Sequence, residues 1–582
     1  MGFPNLRILA LLASLVVCSI GPGLFFVRHL RFKPVETLCT SVATSLVFIY
    51  LASLAIYVTN LPTNRAHWVL SGICWGMSAL CWPDFARLLR RRHIRRVLGS
   101  FGILWIWILL QAADIRHFAG GTWYGDWFEH YKRCLFFLDH WDLQYKFLGM
   151  YLVTARPPLM NLLCAHFMAN FGQSFLIYQL TAGFLNLLPA LVCFQIATAG
   201  VRRGWGRRGT TAALLLLLAA NPSYNQNVAF PWTKSLTAMP CLLATWLYLR
   251  GWLKHDFKRI FLAFTFAAAA CLTHFYAMAW AAGLALHYLI AAWPQRREKY
   301  RELLAIGPAA GGLILTWLLW AVWAFGPKIP FNSSTTAWAV KHQTPLERVQ
   351  TFGFNGIATL TPYFFRDVPY DQLAQANSLG RIRDQIFVLY QTNLLFAWGV
   401  FGGLILLFAL PLNQWQAKVR RFWWVFLVFS SVVGNASVAT PDVWGAMHLW
   451  GMPLMFLGLC ALAAFLGEMP PFWRWAAVLG CTIDFLCGIL LQIHLEHRVY
   501  AIQAVPGQTL PIVVGASLPN HFAQENIIAK QVLGYRFLGD YFASGSARIE
   551  LLMCAIFIAL AIRMLRAGNV AAKYPMVEKV LF

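Results

Sequence analysis

Between Asp114 and Leu159 the chain carries Asp126, Glu129, His130, Lys132, Arg133, Asp139, Asp142 and Arg156, although only 12% of its 582 residues are charged. If this stretch is helical, Asp126, Glu129, His130 and Arg133 stand at i, i+3, i+4 and i+7 and share one face. Two carboxylates, an imidazole and a guanidinium so placed suit proton abstraction and the binding of a phosphate or a sugar hydroxyl. Asp126 and Glu129 together would also suit a divalent metal such as Mg²⁺ or Mn²⁺. The plain competitor is a solvated interfacial helix, and Asp139 and Asp142 read better as caps or solvating groups of that loop.

The elements that must position this stretch are apolar. The chain is 59% hydrophobic with 26 Trp, and its mean hydropathy is +0.58. Long apolar runs recur from end to end, which implies an all-α, polytopic membrane protein and excludes a single soluble core. The formal net charge of +25 would suggest nucleic acid in a soluble protein. Here the Lys and Arg residues fall mainly in short links between apolar runs, the pattern of cytoplasmic loops, so no nucleic-acid partner is expected. The 13 Cys lie mostly inside apolar segments without metal-ligand spacing, and read as small core residues, not as a zinc site or a disulfide framework.

Spans are predicted near Leu6 to Val27, Val35 to Val58 and Ala66 to Trp82, forming an N-terminal extension over residues 1–96 that ends in the basic link Arg87 to Arg96. If that link is cytoplasmic, the next span, Val97 to Ala113, delivers the acidic loop 114–158 to the periplasmic or lumenal side. Leu159 to Phe171 fits this alternation only as a short re-entrant or surface helix, or as a miscounted crossing. Counting apolar runs gives about fifteen helices. The core spans residues 97–467, with a second large outer loop over 326–392 that is too polar to cross and is expected to fold over the membrane surface. Residues 468–582 hold C-terminal helices and a small outer segment, 494–548. Asn332-Ser333-Ser334 matches a glycosylation sequon, a weak signal by itself.

The stretch GDWFEHYKR followed by ARPPL, on the far side of an exiting helix, resembles the first outer loop of the GT-C superfamily of polyprenyl-phosphate-dependent glycosyltransferases. The resemblance is to the bacterial branch near the protein O-mannosyltransferases and the lipid A aminoarabinose transferase. Family members commonly carry an Asp-Glu pair, a Tyr and an Arg, then Lys-Pro-Pro-Leu. This chain has Asp126-x-x-Glu129 and Arg156-Pro-Pro-Leu, which leaves open which acid takes the family's first role. Fainter echoes are NPSYNQNVAFPWTKS, CLTHFYAMAW and HLWGMPLMFL, so the likeness runs from about Val97 to about Gly467.

The resemblance implies a glycosyltransferase of the bacterial inner membrane. It would move a sugar from a polyprenyl-phosphate donor, held by membrane helices, to a protein, lipid or glycan acceptor in the periplasm, with inversion. Such a transfer needs a carboxylate for the acceptor's proton, expected at Asp126 with Glu129 beside it. It also needs cations for the leaving phosphate, expected at Arg156, Lys234, Arg133 and His448. His130 and His274 are further candidates for substrate contact. Two other classes compete. A polysaccharide polymerase or ligase would put its main charged cluster in a later loop. A flippase or transporter would bury charges within its spans, where only Asp484 and His287 stand out.

Overall fold

The computed structural model describes residues 4–115, 126–147, 151–199, 201, 205–328, 343–366, 378–409, 417–442, 445–467, 469–489, 501–503, 512–514, 536–542 and 545–568. The fold is all-α and that of a multi-pass membrane protein, with one short antiparallel hairpin, β1 (Ala501–Gln503) and β2 (Ile512–Val514). The sequon at Asn332 and most of the outer segment 494–548 lie outside the described residues.

Helices α1 (Pro4–Val27), α2 (Pro34–Val58) and α3 (Thr63–Leu80) match the first three apolar runs closely. The basic link behind them is itself helical. α4 (Trp82–Leu89) runs almost directly into α5 (Arg92–Asp114), so three of the link's arginines, Arg92, Arg95 and Arg96, form the start of α5. α6 (Asp126–Asp139) carries the acidic motif, and α7 (Leu159–Phe171) follows Arg156-Pro-Pro. At 13 residues, α7 spans about 20 Å, too short for a bilayer core of about 30 Å. It is buried over its first ten residues, packing on α2, α3 and α6. It is therefore a short helix packed inside the protein.

α8 (Phe175–Leu187) and α9 (Pro189–Ala199) run together as one apolar stretch, Phe175–Ala199, long enough to cross a membrane and almost wholly buried. α10 (Trp205–Ala220), α11 (Pro222–Ala229), α12 (Lys234–Lys254) and α13 (Phe257–Thr273) continue the bundle, and α14 (Ala277–Ala292) and α15 (Arg296–Phe325) make up a long apolar stretch. Among the described residues, six helical stretches are long and apolar enough to cross a membrane. All 13 cysteines are free and 11 are buried, as core residues should be.

In the second large loop the helix Pro345–Leu360 is amphipathic in the inverted sense. Leu346, Val349, Ile357 and Leu360 face outward while Thr351, Asn355 and Thr359 are buried. An apolar face turned outward suits lipid. A buried amide, Asn355, and a buried hydroxyl, Thr359, order the chain ahead of His448. Asn355 Nδ2 donates to Thr440 O at 3.0 Å, Asn355 Oδ1 accepts from Asp442 N at 2.7 Å, and Thr359 Oγ1 accepts from Ala446 N at 2.8 Å.

Candidate active site

α6 turns its motif inward. Glu129, His130 and Arg133 are all buried, with Glu129 and Arg133 at 0% exposure. Asp126 opens the helix, but its side chain lies outside the described residues. Arg133 Nη2 and Nε reach Glu129 Oε1 at 2.6 and 2.8 Å. Its Nη1 donates to Val153 O at 2.6 Å and its Nη2 lies 3.3 Å from Leu152 O, while the guanidinium stands 4.4 Å over the Phe147 ring. These contacts join α6 to the segment that ends in Arg156, whose Nε lies 3.6 Å from the same Glu129 oxygen. Burial alone would raise the Glu129 pKa, but Arg133, Arg156 and His130 outweigh it and hold the carboxyl down at about 2. It is an anion across the physiological range. Its other oxygen, Oε2, is buried without a hydrogen-bond partner among the described residues.

His130 Nδ1 lies 3.1 Å from Asn161 Oδ1 on α7, and burial brings the imidazole down to about 4, so it is neutral near pH 7. The other predicted groups come from distant parts of the chain. Lys234 is the first residue of α12 and is 5% exposed, with Nζ 4.0 Å over the Trp232 ring. The turn before it is fixed by Asn186 of α8, which donates from Nδ2 to Trp232 O at 2.7 Å and accepts from Leu236 N at 3.0 Å. Tyr276 OH donates to Lys234 O at 2.7 Å. His274 caps the end of α13, where its Nδ1 accepts from Tyr276 N at 3.3 Å. Desolvation drives the His274 pKa well below its usual value, and the charges of Arg156, Lys234 and His130 push it the same way. His448, 2% exposed on the short helix Met447–Trp450, is depressed by burial and then by Lys234 and His274.

The structure thus gathers Glu129, His130, Arg133, Arg156, Lys234, His274 and His448 into one neighbourhood. The positioning residues Asn161, Asn186 and Tyr276 carry no signal of their own in sequence; each is one uncharged residue among apolar neighbours. Asp139 accepts from Gln173 Nε2 at 2.9 Å and Asp142 from Gln144 N at 2.9 Å, the solvating and capping roles expected of them. The two in-span candidates are internally bonded. Asp484 accepts from Tyr390 OH at 2.6 Å and Val400 N at 3.0 Å, and His287 Nδ1 lies 2.6 Å from Tyr248 OH. Gly399, at φ 90°, packs so closely on Asp484 that any side chain there would collide with the carboxylate.

A small apolar cavity of about 10 Å³, room for about one water molecule, lies between α2, α7, α12 and α13, lined by Leu46, Leu159, Leu236, Met239, Phe266 and Thr273. Three of these residues lie within three positions of Arg156, Lys234 and His274.

No protein-family model matches the chain, and no curated protein matches it. Among solved structures it is similar to ArnT from Cupriavidus metallidurans bound to undecaprenyl phosphate, at 15% identity over 81% of this chain and 76% of that chain, with a TM-score of 0.43. The apo state of the same ArnT is similar at 14% identity over the same shares, again with a TM-score of 0.43.

Proposed function

We propose that the protein is a membrane glycosyltransferase that moves a sugar from a polyprenyl-phosphate donor to an acceptor hydroxyl on the periplasmic side of the bacterial inner membrane, with inversion. The observation that carries this reading is the gathering of Arg156, Lys234, His274 and His448, from separate parts of the chain, around the buried Glu129 and His130. A leaving phosphate needs such cations and donors about it. ArnT, a distant structural likeness, is described with undecaprenyl phosphate bound.

In the proposed reaction Asp126 takes the proton of the acceptor hydroxyl. The hydroxyl oxygen attacks the anomeric carbon from the side opposite the phosphate, the bond from that carbon to the phosphate oxygen breaks, and polyprenyl phosphate departs with the electron pair. Arg156 and Lys234 stabilise the charge that grows on it, with His448 alongside. Of the two acids Glu129 is the poor base. Its pKa of about 2 and its arginine partners suit it to holding Arg156 in place. Arg133, which spends its donors on Glu129 and two backbone carbonyls, suits a positioning role better than phosphate contact.

A divalent cation bound by Asp126 and Glu129 enters none of these steps. Two guanidiniums beside Glu129 oppose a further cation there.

The test is transfer in detergent with a panel of polyprenyl-phosphate sugars, comparing wild type with Asp126→Asn. A folded variant slowed by at least about 10²-fold supports the base role; a folded variant that keeps wild-type turnover removes Asp126 from the chemistry.

A further inference from the structure

Helix α11 is unusual for the middle of a membrane bundle. All eight of its residues, Pro222 to Ala229, are buried, yet five of them carry side-chain hydroxyls or amides. The helix starts cleanly, with Pro222 in its first turn and Asn221 Oδ1 accepting from Tyr224 N at 2.8 Å. Most of its side-chain polar atoms have no partner among the described residues, Tyr224 Oη and Asn225 Oδ1 included, although Asn225 Nδ2 donates to Ala219 O at 2.7 Å. Asn227 Nδ2 donates to Ser223 O at 2.7 Å and to Gln391 Oε1 at 2.8 Å. Among the described residues that leaves Ser223 Oγ, Asn227 Oδ1, Gln391 Nε2 and both polar atoms of Gln226 buried without partners. These residues are 0 to 6% exposed. Asn393 Nδ2, 1% exposed at the start of the neighbouring helix Leu394–Ala397, is in the same state.

Buried donors and acceptors are ordinarily paired, and a group of them left open together calls for a partner. Ser223, Gln226 and Asn227 stand at i, i+3 and i+4, so they share one face of α11, and Asn227 ties that face to Gln391. The chain leaves α11 through Phe230-Pro231-Trp232-Thr233 straight into Lys234. The open amides therefore lie on the segment that feeds the cation cluster.

The chemistry is selective. From Ala220 to Thr233 no residue is charged. The unpartnered groups include both donors and acceptors, the complement of a hydroxyl, which both gives and takes a hydrogen bond. A carboxylate or an ammonium brought here would be buried with no opposite charge on α11.

We infer that the amide face of α11, with Gln391, is a subsite for an uncharged polyhydroxy group: the sugar ring of a neutral hexosyl or pentosyl donor, as against an aminated or carboxylated one. This rests on the glycosyl-transfer reading and narrows its substrate class.

The experiment measures binding of three lipids to the full-length protein in detergent: polyprenyl phosphate alone, a polyprenyl-phosphate neutral hexose, and a polyprenyl-phosphate amino sugar. Wild type is expected to bind the neutral-hexose lipid at least about tenfold more tightly than either of the others. Gln226→Ala and Asn227→Ala are expected to erase that advantage while holding polyprenyl phosphate itself within about twofold of wild type. Equal wild-type affinity for the sugar-bearing and bare lipids, or preference for the amino sugar, overturns the subsite while leaving the lipid-phosphate reading intact. If none of the three lipids binds, the glycosyl-transfer reading falls and the subsite with it. An unchanged preference in both folded variants overturns the inference as well, and leaves the amides to ordered water. The wild-type comparison decides the matter even if neither variant folds.

Discussion

Two buried glutamates, Glu129 on α6 and Glu36 in the first turn of α2, make a natural pair for comparison. Each is at most 1% exposed, each is paired with an arginine, and each has a second oxygen without a hydrogen-bond partner among the described residues. Glu36 meets Arg259 Nε at 2.5 Å, and Arg259 also pairs with Asp256, the N-cap of α13. The cations around it, Lys33, Arg250 and Lys254, stand at helix ends and are partly or fully exposed. That pair joins α2 to α13 at a basic rim, as surface-facing links of membrane bundles do. Around Glu129 stand a second arginine, Arg156, and the buried imidazole of His130, which in turn lies near His274 and Lys234. Burial of an ion pair alone thus does not mark a site; the two regions differ in that here charged groups are drawn inward from separate parts of the chain.

The sharpest way to break this contrast is stability. Removing Arg133 strands a fully buried carboxylate, so Arg133→Ala is expected to cost about 3–5 kcal/mol and to lower the thermal midpoint in detergent accordingly. A loss below about 1 kcal/mol would place water or another partner against Glu129. Arg259→Ala, whose side chain is 12% exposed, should cost less, about 1.5–3 kcal/mol. It should leave the affinity for polyprenyl phosphate unchanged, and a matching loss of lipid affinity would erase the distinction between the two regions.

Binding sharpens the contrast from the other side. Arg156→Ala and Lys234→Ala should each weaken polyprenyl-phosphate binding by about tenfold or more, the worth of one charge-assisted hydrogen bond, with little change in folding. Binding titrations that show no loss in either variant would detach the cluster from the phosphate.

The smallest effect is in pH. His130 is held neutral with its pKa lowered from 6.5 to about 4, so the unfolded chain takes up the proton first. Stability is full above pH 6.5 and falls as pH drops from there to about 4, where it levels for this group. His130→Gln should flatten the slope of thermal midpoint against pH in that window by up to one proton's worth. An unchanged slope would assign the sensitivity to the other buried histidines.

Much of this was legible in the sequence because bilayers impose long apolar runs. α2, read as Val35 to Val58, is Pro34–Val58 in the structure. The acidic motif stood out because charge is scarce, and Lys234 because it sits at the head of an apolar helix. What could not be read has physical reasons. The arginines after Arg91 look like a loop, yet straight-chain residues serve a helix start equally well. The inward aim of Glu129, His130 and Arg133 depends on α7, Asn161 and the Leu152 and Val153 carbonyls, contacts that no spacing rule encodes. Asn186 and Tyr276 steady Lys234 across gaps of more than 40 residues, and Gln391 meets Asn227 across 164.

One last consequence comes from Arg133's grip on Leu152 and Val153. Because a single guanidinium ties the carboxylate of α6 to the strand of chain running into Arg156, those groups translate together and cannot drift apart as the site fills or empties. The distance between acid and cation is set when the protein folds, before any lipid arrives. Substrates must therefore be sorted by how they fit a ready-made gauge, and not by whether they can pull its jaws shut.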